Sequence, residues 1–154
     1  MTITLVAEEG ATLSSGSLHL YATQPPSDSA TQPLIFGCID LYNYDPLNRR
    51  CAVGIMVASE YRRKGYALAM LHALDALLSH PSTPSLPATQ PLIHTLYADI
   101  AAVNEASLAL FEKAGYSRCG HFKEWLEYDS HFIDNIRMQK ILPNAKNLNQ
   151  YQAG

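Results

Sequence analysis

Residues 53–67 constrain the fold more than any other stretch of the chain. Val53, Ile55 and Val57 are β-branched at every second position, which suits a half-buried strand. Arg62, Arg63 and Lys64 follow, then Gly65, then Ala67-Leu68-Ala69-Met70-Leu71, a run of strong helix formers. The chain therefore passes from strand to helix through a short basic turn. A helix start leaves its first backbone N–H groups unpaired and carries partial positive charge. Gly65 has no side chain, so a ligand can come close to its backbone. Three cations beside such amides suit a phosphate or pyrophosphate. An ordinary strand–turn–helix corner with a solvated basic turn fits the same spacing.

The basic cluster is local. The net charge is −3 over 154 residues, which argues against a nucleic-acid binder that works by broad electrostatics. A small anionic ligand suits a local patch better than a polymer does. Hydrophobic residues make up 47% of the chain, enough for one domain across residues 1–154 with its core at about 17–142. Residues 143–154 read as a polar tail. Cys38, Cys51 and Cys119 show no paired spacing and no metal-ligand pattern. They read as free thiols, each a small buried hydrophobe, in a reducing compartment. No apolar run reaches membrane-spanning length and no secretory leader opens the chain, so the expected location is cytoplasmic.

The remaining elements follow from periodicity and breakers. Residues 2–6 fit a short strand, and residues 17–22 and 34–42 fit longer ones. Residues 43–48 form a turn before the strand at 50–57. Residues 64–80 make a helix with Ala67, Leu71, Leu74 and Leu78 as its core stripe. His72, Asp75 and Ser79 lie along its edge and are expected in solvent. Proline clusters at 24–33 and 81–91 dictate loops. Residues 92–100 form a strand, and Asn104 caps the helix that follows. Gly115 ends that helix. Residues 116–127 and 131–142 make two last strands around a turn at 128–130. The string β-β-β-α-β-α-β-β is an α+β domain.

At this point the sequence resembles a known family. Arg62-x-x-Gly65-x-Ala67, placed after a strand and opening a helix, is similar to the R/Q-x-x-G-x-G/A motif of the GNAT superfamily of acyl-CoA N-acyltransferases. Asn104-Glu105-Ala106-Ser107, with Lys113-Ala114-Gly115-Tyr116 later, resembles the family's N-x-x-S/A…K-x-G-F/Y segment. The resemblance runs over about residues 34–142. Gly37-x-x-Asp40-Leu41 is similar to the G-x-x-E/D-L of the branch with spermidine/diamine and ribosomal-protein N-terminal acetyltransferases. The resemblance implies a GNAT-like mixed, mostly antiparallel sheet with two main helices. In it, the strands at 50–57 and 92–100 run parallel and splay apart. The family's usual N-terminal strand and helix pair, one wall of the acceptor site, is not found before the first strands. The chain then reads as a truncated member, a fragment, or one that completes its site with another subunit, with a homo-oligomer open.

The resemblance also assigns chemistry. Acetyl-CoA is the implied co-substrate, with no metal, and a small amine, a polyamine or a protein N-terminus is the implied acceptor, in direct transfer within a ternary complex. Ile55, Met56 and Val57 would pair with the pantetheine arm. A backbone N–H of Met56 or Val57 would face the thioester oxygen. Arg62, Arg63, Lys64, Gly65, Tyr66, Ala67 and Leu68 would hold the pyrophosphate. Asn104, Ser107, Phe111 and Lys113 would line the coenzyme. Asp40 is the first candidate for amine contact or base. Phe111 stands where many members carry a tyrosine acid, and a phenyl ring cannot donate a proton. Tyr97 and Tyr116 are the nearby phenols. A coenzyme-binding regulatory module or partner subunit without turnover is the alternative.

Overall fold

The computed structural model describes residues 3–8, 13, 17–24, 33–79 and 93–143. Seven strands form one sheet: β1 (Thr4–Ala7), β2 (Ser17–Gln24), β3 (Leu34–Asp45), β4 (Arg50–Val57), β5 (Thr95–Ala101), β6 (Ser117–Tyr128) and β7 (His131–Ile141). Their spatial order is β1-β2-β3-β4-β5-β7-β6. Two helices, α1 (Tyr66–Ser79) and α2 (Glu105–Lys113), follow β4 and β5. The proline clusters and the tail after residue 143 lie outside the described residues. Thr4–Ala7 is the short strand expected at residues 2–6, and it forms the edge of the sheet. The described residues hold no helix before β3, so the helix pair is the part of the usual N-terminal unit without a counterpart among them.

All neighbouring strands pair antiparallel except β4 and β5. That parallel pair joins only at Arg50↔Thr95, Cys51↔Leu96 and Ala52↔Tyr97. β4 then runs on to Val57 beside β3, and β5 runs on to Ala101 beside β7. The sheet therefore forks after Ala52 and Tyr97, as the resemblance implies.

Strand alternation sorts side chains onto two faces. Leu18, Leu20, Ile39, Leu41, Val53 and Leu96 point to one face and are buried there with Met70, Leu71 and Leu74 of α1 and Leu108 and Phe111 of α2. Ala67 and Leu78 of the expected α1 stripe, or neighbours such as Leu77, sit partly buried at its margin. Gly37 lets β3 and α1 approach: a Cβ there would lie 2.5 Å from the Met56 carbonyl oxygen and 3.1 Å from Met70 Cε. The opposite face carries His19, Tyr21, Cys38, Asp40, Tyr42 and Met56, none of them fully buried.

Two expectations need correction. Asp75 is not a solvated edge residue. Its carboxylate accepts from Lys140 Nζ at 2.5 Å, and both side chains are only 19% exposed. Lys140 also donates to the Ala114 carbonyl at the end of α2, so β7 ties the two helices together. Ser79 is likewise half-buried rather than free in solvent. Second, of the three free cysteines only Cys51 is buried. Burial pushes its thiol up to about 12, so it stays protonated. Cys38 is half-buried and Cys119 is exposed.

Candidate coenzyme cleft and fork

The basic turn is built by its backbone. After β4, Ser59–Tyr61 forms a single 3-10 turn. Ala58 N–H donates to the Phe36 carbonyl at 2.9 Å, which pins the turn to β3. Arg63 (φ +59°) and Gly65 (φ +85°) take the left-handed conformation on either side of Lys64. Glycine does so without strain, and a β-branched residue does not. A Cβ on Gly65 would meet nothing within 4 Å. The glycine is thus required by its φ, and its outer side faces open space. Tyr61, Tyr66 and Phe36 brace the turn from beneath, with ring centroids 4.7–5.9 Å apart.

A cleft of about 610 Å³ opens beside this turn. Val57, Tyr61, Arg62, Arg63, Gly65, Ala67 and Leu68 line one side, and Ala106, Ser107, Ala109, Leu110 and Lys113 of α2 line the other. Both sequence motifs therefore meet in one cavity. Arg62 Nε donates to the Val57 carbonyl at 2.9 Å, which fixes the guanidinium at the end of β4. Gly65 precedes α1, whose first turn begins with Ala69 N–H donating to the Gly65 carbonyl. The amides of Tyr66, Ala67 and Leu68 lie ahead of that bond, where a helix has no acceptors of its own. Arg62, Arg63 and Lys113 bring three cations to a small-residue wall. The arrangement can bind a phosphorylated ligand.

Other predicted residues fall outside the cleft lining. Lys64 Nζ donates to the Glu60 carbonyl at 2.8 Å. Tyr66 is part of the aromatic brace. Asn104 Oδ1 accepts from Ser107 N–H at 3.2 Å, so it is the cap of α2 that the sequence implied. Ile55 is half-buried and Met56 is 61% exposed, both on the length of β4 that flanks the fork. Phe111 is corrected: its ring is 3% exposed and packs edge-on against Tyr116 at 4.9 Å, in the core rather than in the cleft. Tyr116 is also buried, and burial with the nearby Asp75 charge raises its phenol far above the usual range. Neither ring reaches the cavity. Tyr61, Ala106, Ala109 and Leu110 line it and were not singled out from sequence. Positions 106, 109, 110 and 113 form one helical stripe, and that spacing was the available signal.

The other face of the fork carries polar groups. His19, Asp40 and Gly54 lie side by side across β2, β3 and β4. His19 Nδ1 and Asp40 Oδ1 are 2.5 Å apart. That hydrogen bond, with the Asp40 charge, raises the His19 imidazole above its ordinary value. On the β5 side, Arg137 Nε and Nη2 donate to both oxygens of Asp99 at 2.9 and 2.8 Å, and Asn135 Nδ2 donates to Oδ1 at 3.1 Å. The Arg137 bond holds the Asp99 carboxyl below the usual carboxylate range. Arg137 also stacks over Tyr97 at 4.6 Å and Phe122 at 5.5 Å. Among the described residues no cluster of His, Cys, Asp and Glu could hold a metal ion, and no helix is long and apolar enough to cross a membrane.

Residues 13–117 match the family described as Acetyltransferase (GNAT) domain. No curated protein matches the chain in sequence. The spermidine N-acetyltransferase of Vibrio cholerae in complex with CoA and spermine is similar in structure, with a TM-score of 0.68 at 20% identity, over 87% of this chain and 70% of that one. Its dodecameric form in an intermediate state has a TM-score of 0.64 at 21% identity, over 88% and 69%. A chimera of that enzyme with hSSAT has a TM-score of 0.65 at 21% identity, over 88% and 72%. At such identities the likeness is one of fold.

Proposed function

The chain belongs to the GNAT acetyltransferase family and uses acetyl-CoA, and we propose that it moves the acetyl group to a primary amine, with polyamines the first class to try. The observation that carries this is the meeting of the basic turn and the α2 stripe in one cleft, at the end of a strand that leaves its parallel neighbour after Ala52. The diphosphate of the coenzyme sits on the amides of residues 66–68 with Arg62 and Arg63 beside it. Ser107 and Lys113 face the coenzyme from α2. The pantetheine arm runs along Ile55, Met56 and Val57 into the fork, as an added strand would. Asn104 contributes by holding α2 in register.

The amine nitrogen attacks the thioester carbonyl carbon. A new C–N bond forms, the C–S bond breaks, the nitrogen releases its proton through water to solvent, and the sulfur departs as the thiolate of CoA. A backbone N–H at Met56 or Val57 stabilises the oxyanion. The thiolate leaves without a phenol from α2, because thiols are acidic enough to do so. Asp40 receives the amine on the face opposite α1 and α2. A neighbour of this fold was crystallised with CoA and spermine, which supports trying polyamines before protein N-termini. Another is dodecameric, which supports self-association here. The three free cysteines favour a reducing, cytoplasmic setting for one domain.

The test is thiol release from acetyl-CoA with a panel of polyamines, small monoamines and N-terminal peptides, alongside calorimetric titration with CoA. Turnover on a primary amine with saturable coenzyme binding is expected. Coenzyme binding without turnover on any amine would overturn the transfer reading, and no binding would overturn the cleft assignment.

A further inference from the structure

Tyr42 occupies a place that the cleft does not explain. It lies in one cross-sheet row with Ala52 and Tyr97, the last pair before β4 and β5 part. Beyond that row, Gly54 stands on one side of the fork and Asp99 on the other. Gly54 has no side chain, and a Cβ built there would sit 3.6 Å from Tyr42 Cε1 and 3.9 Å from Asp40 Cβ. The Tyr42 ring therefore lies beside the opening, over the bare position on β4. Asp40 lies two positions away on the same face of the same strand, and the charges of Asp99 and Asp40 both act on its phenol.

Building on the acetyl-transfer reading, the geometry points to Tyr42 as a specificity-determining residue, whose hydroxyl accepts a hydrogen bond from the acceptor's ammonium group while Asp40 and Asp99 supply the opposing charge. Three features support a binding role over a proton-transfer role. Partial burial and the surrounding negative charge both raise the phenol, so it stays protonated across the working pH range and cannot act as a base. It lies on the face opposite the core that holds α1 and α2, so it does not approach from the α2 side where the family's tyrosine would stand. Finally, each flanking carboxylate is already held by a neighbour, His19 for Asp40 and the Arg137 guanidinium for Asp99. Those neighbours fix the carboxylates in place and leave the neutral hydroxyl as the adjustable partner. The role applies to acceptors that arrive as cations, whose reacting nitrogen then releases a proton through water to solvent before it attacks, and an amine that arrives neutral gains nothing from it.

The experiment is steady-state kinetics of Tyr42→Phe at saturating acetyl-CoA, with spermidine and with a short peptide bearing a free N-terminus as acceptors. Phenylalanine keeps the ring and its packing, so the fold is retained. A hydrogen bond to a charged group implies a rise of about tenfold in acceptor KM. The KM for acetyl-CoA and the shape of the kcat pH profile should hold. Gly54→Ala, which fits at ordinary contact distance, should raise acceptor KM in the same sense by narrowing the approach. An unchanged acceptor KM in Tyr42→Phe, with CoA still binding, overturns this assignment and leaves the cleft reading standing. A shifted pH limb would make Tyr42 a proton-transfer group instead and also overturn it. Failure of CoA to bind the unaltered protein overturns both.

Discussion

The two faces of the sheet are built on opposite terms. On one, Leu18, Leu20, Ile39 and Leu41 are covered by α1 and α2 and are at most 1% exposed. On the other, the alternate residues His19, Tyr21, Cys38, Asp40 and Tyr42 of the same strands keep contact with solvent. Even the ion pairs differ. Asp75–Lys140, on the helix side, is 19% exposed at each end, whereas His19–Asp40 is 48% and 38% exposed. A single period-two pattern therefore yields a packed face that positions the helices and an opposite face that keeps its polar groups in solvent.

The largest expected effect tests the packed face directly. Leu74→Ala removes a side chain with no exposure from the centre of the core, and should destabilise the protein by about 2–5 kcal/mol in urea or guanidinium unfolding. Met56→Ala, at 61% exposed on the opposite face, should change stability by about 0.5 kcal/mol or less. Equal losses at the two positions would mean that the faces are not different in kind.

Lys140→Met comes next. It leaves the Asp75 carboxylate without its cation and the Ala114 carbonyl without its donor. Removing one partner of a fully buried pair costs about 3–5 kcal/mol, and the remaining exposure here should reduce this to about 2–3 kcal/mol. Asp75 Oδ1 and the Tyr116 hydroxyl are buried and have no partner in the structure, so the site has little reserve to absorb the loss. Combining Lys140→Met with Asp75→Leu should recover part of the stability, because the uncompensated charge is then gone. A double variant as weak as the sum of the single ones would argue against coupling.

These two experiments also mark what could be read from sequence. The α1 stripe was legible because its spacing is local, and the strand–turn–helix corner was legible because its glycine, its cations and its helix formers are contiguous. Asp75 was misread because its partner Lys140 is 65 positions away, and nothing near Asp75 in sequence announces it. The His19–Asp40 bond escaped for the same reason, as it depends on the register of β2 on β3. Ala106, Ala109 and Leu110 of the cleft lining were missed because they carry no chemistry and serve by being small or apolar. Phe111 was placed at the coenzyme through a motif position, but the rotation of α2 turns it into the core.

Gly65→Val should act on the cleft with a smaller effect on the fold. A β-branched residue at φ +85° is strained by about 1–3 kcal/mol, and its side chain would project into the open space where a phosphate would rest. Coenzyme affinity should fall by about tenfold or more in calorimetric titration, while acceptor KM at saturating coenzyme changes little. Unaltered affinity in a folded variant would remove the turn from the binding site.

The smallest effect is also the one that sets the two sides of the fork against each other. The folded His19 imidazole is raised above 6.5, first by its hydrogen bond to Asp40 and then by that charge. Its contribution to stability is therefore complete below pH 6.5 and is lost as pH rises through the raised value. The Asp99 carboxyl is depressed, first by its hydrogen bonds from Arg137. Its contribution is complete above 3.8 and is lost as pH falls through the depressed value. The two pairs coexist from about pH 4 to pH 6.5, so His19→Asn and Asp99→Asn should both destabilise most in that window. Once the pH is well above the raised His19 value, the His19→Asn difference should fade, while the Asp99→Asn difference persists because Arg137 stays charged. Both groups are largely exposed, so added salt should shrink each difference. The check is unfolding of the two variants against the unaltered protein at pH 5.5 and pH 9. A His19→Asn difference that grows towards alkaline pH would show that the imidazole is neutral in the fold and that Asp40 has no cation at its side.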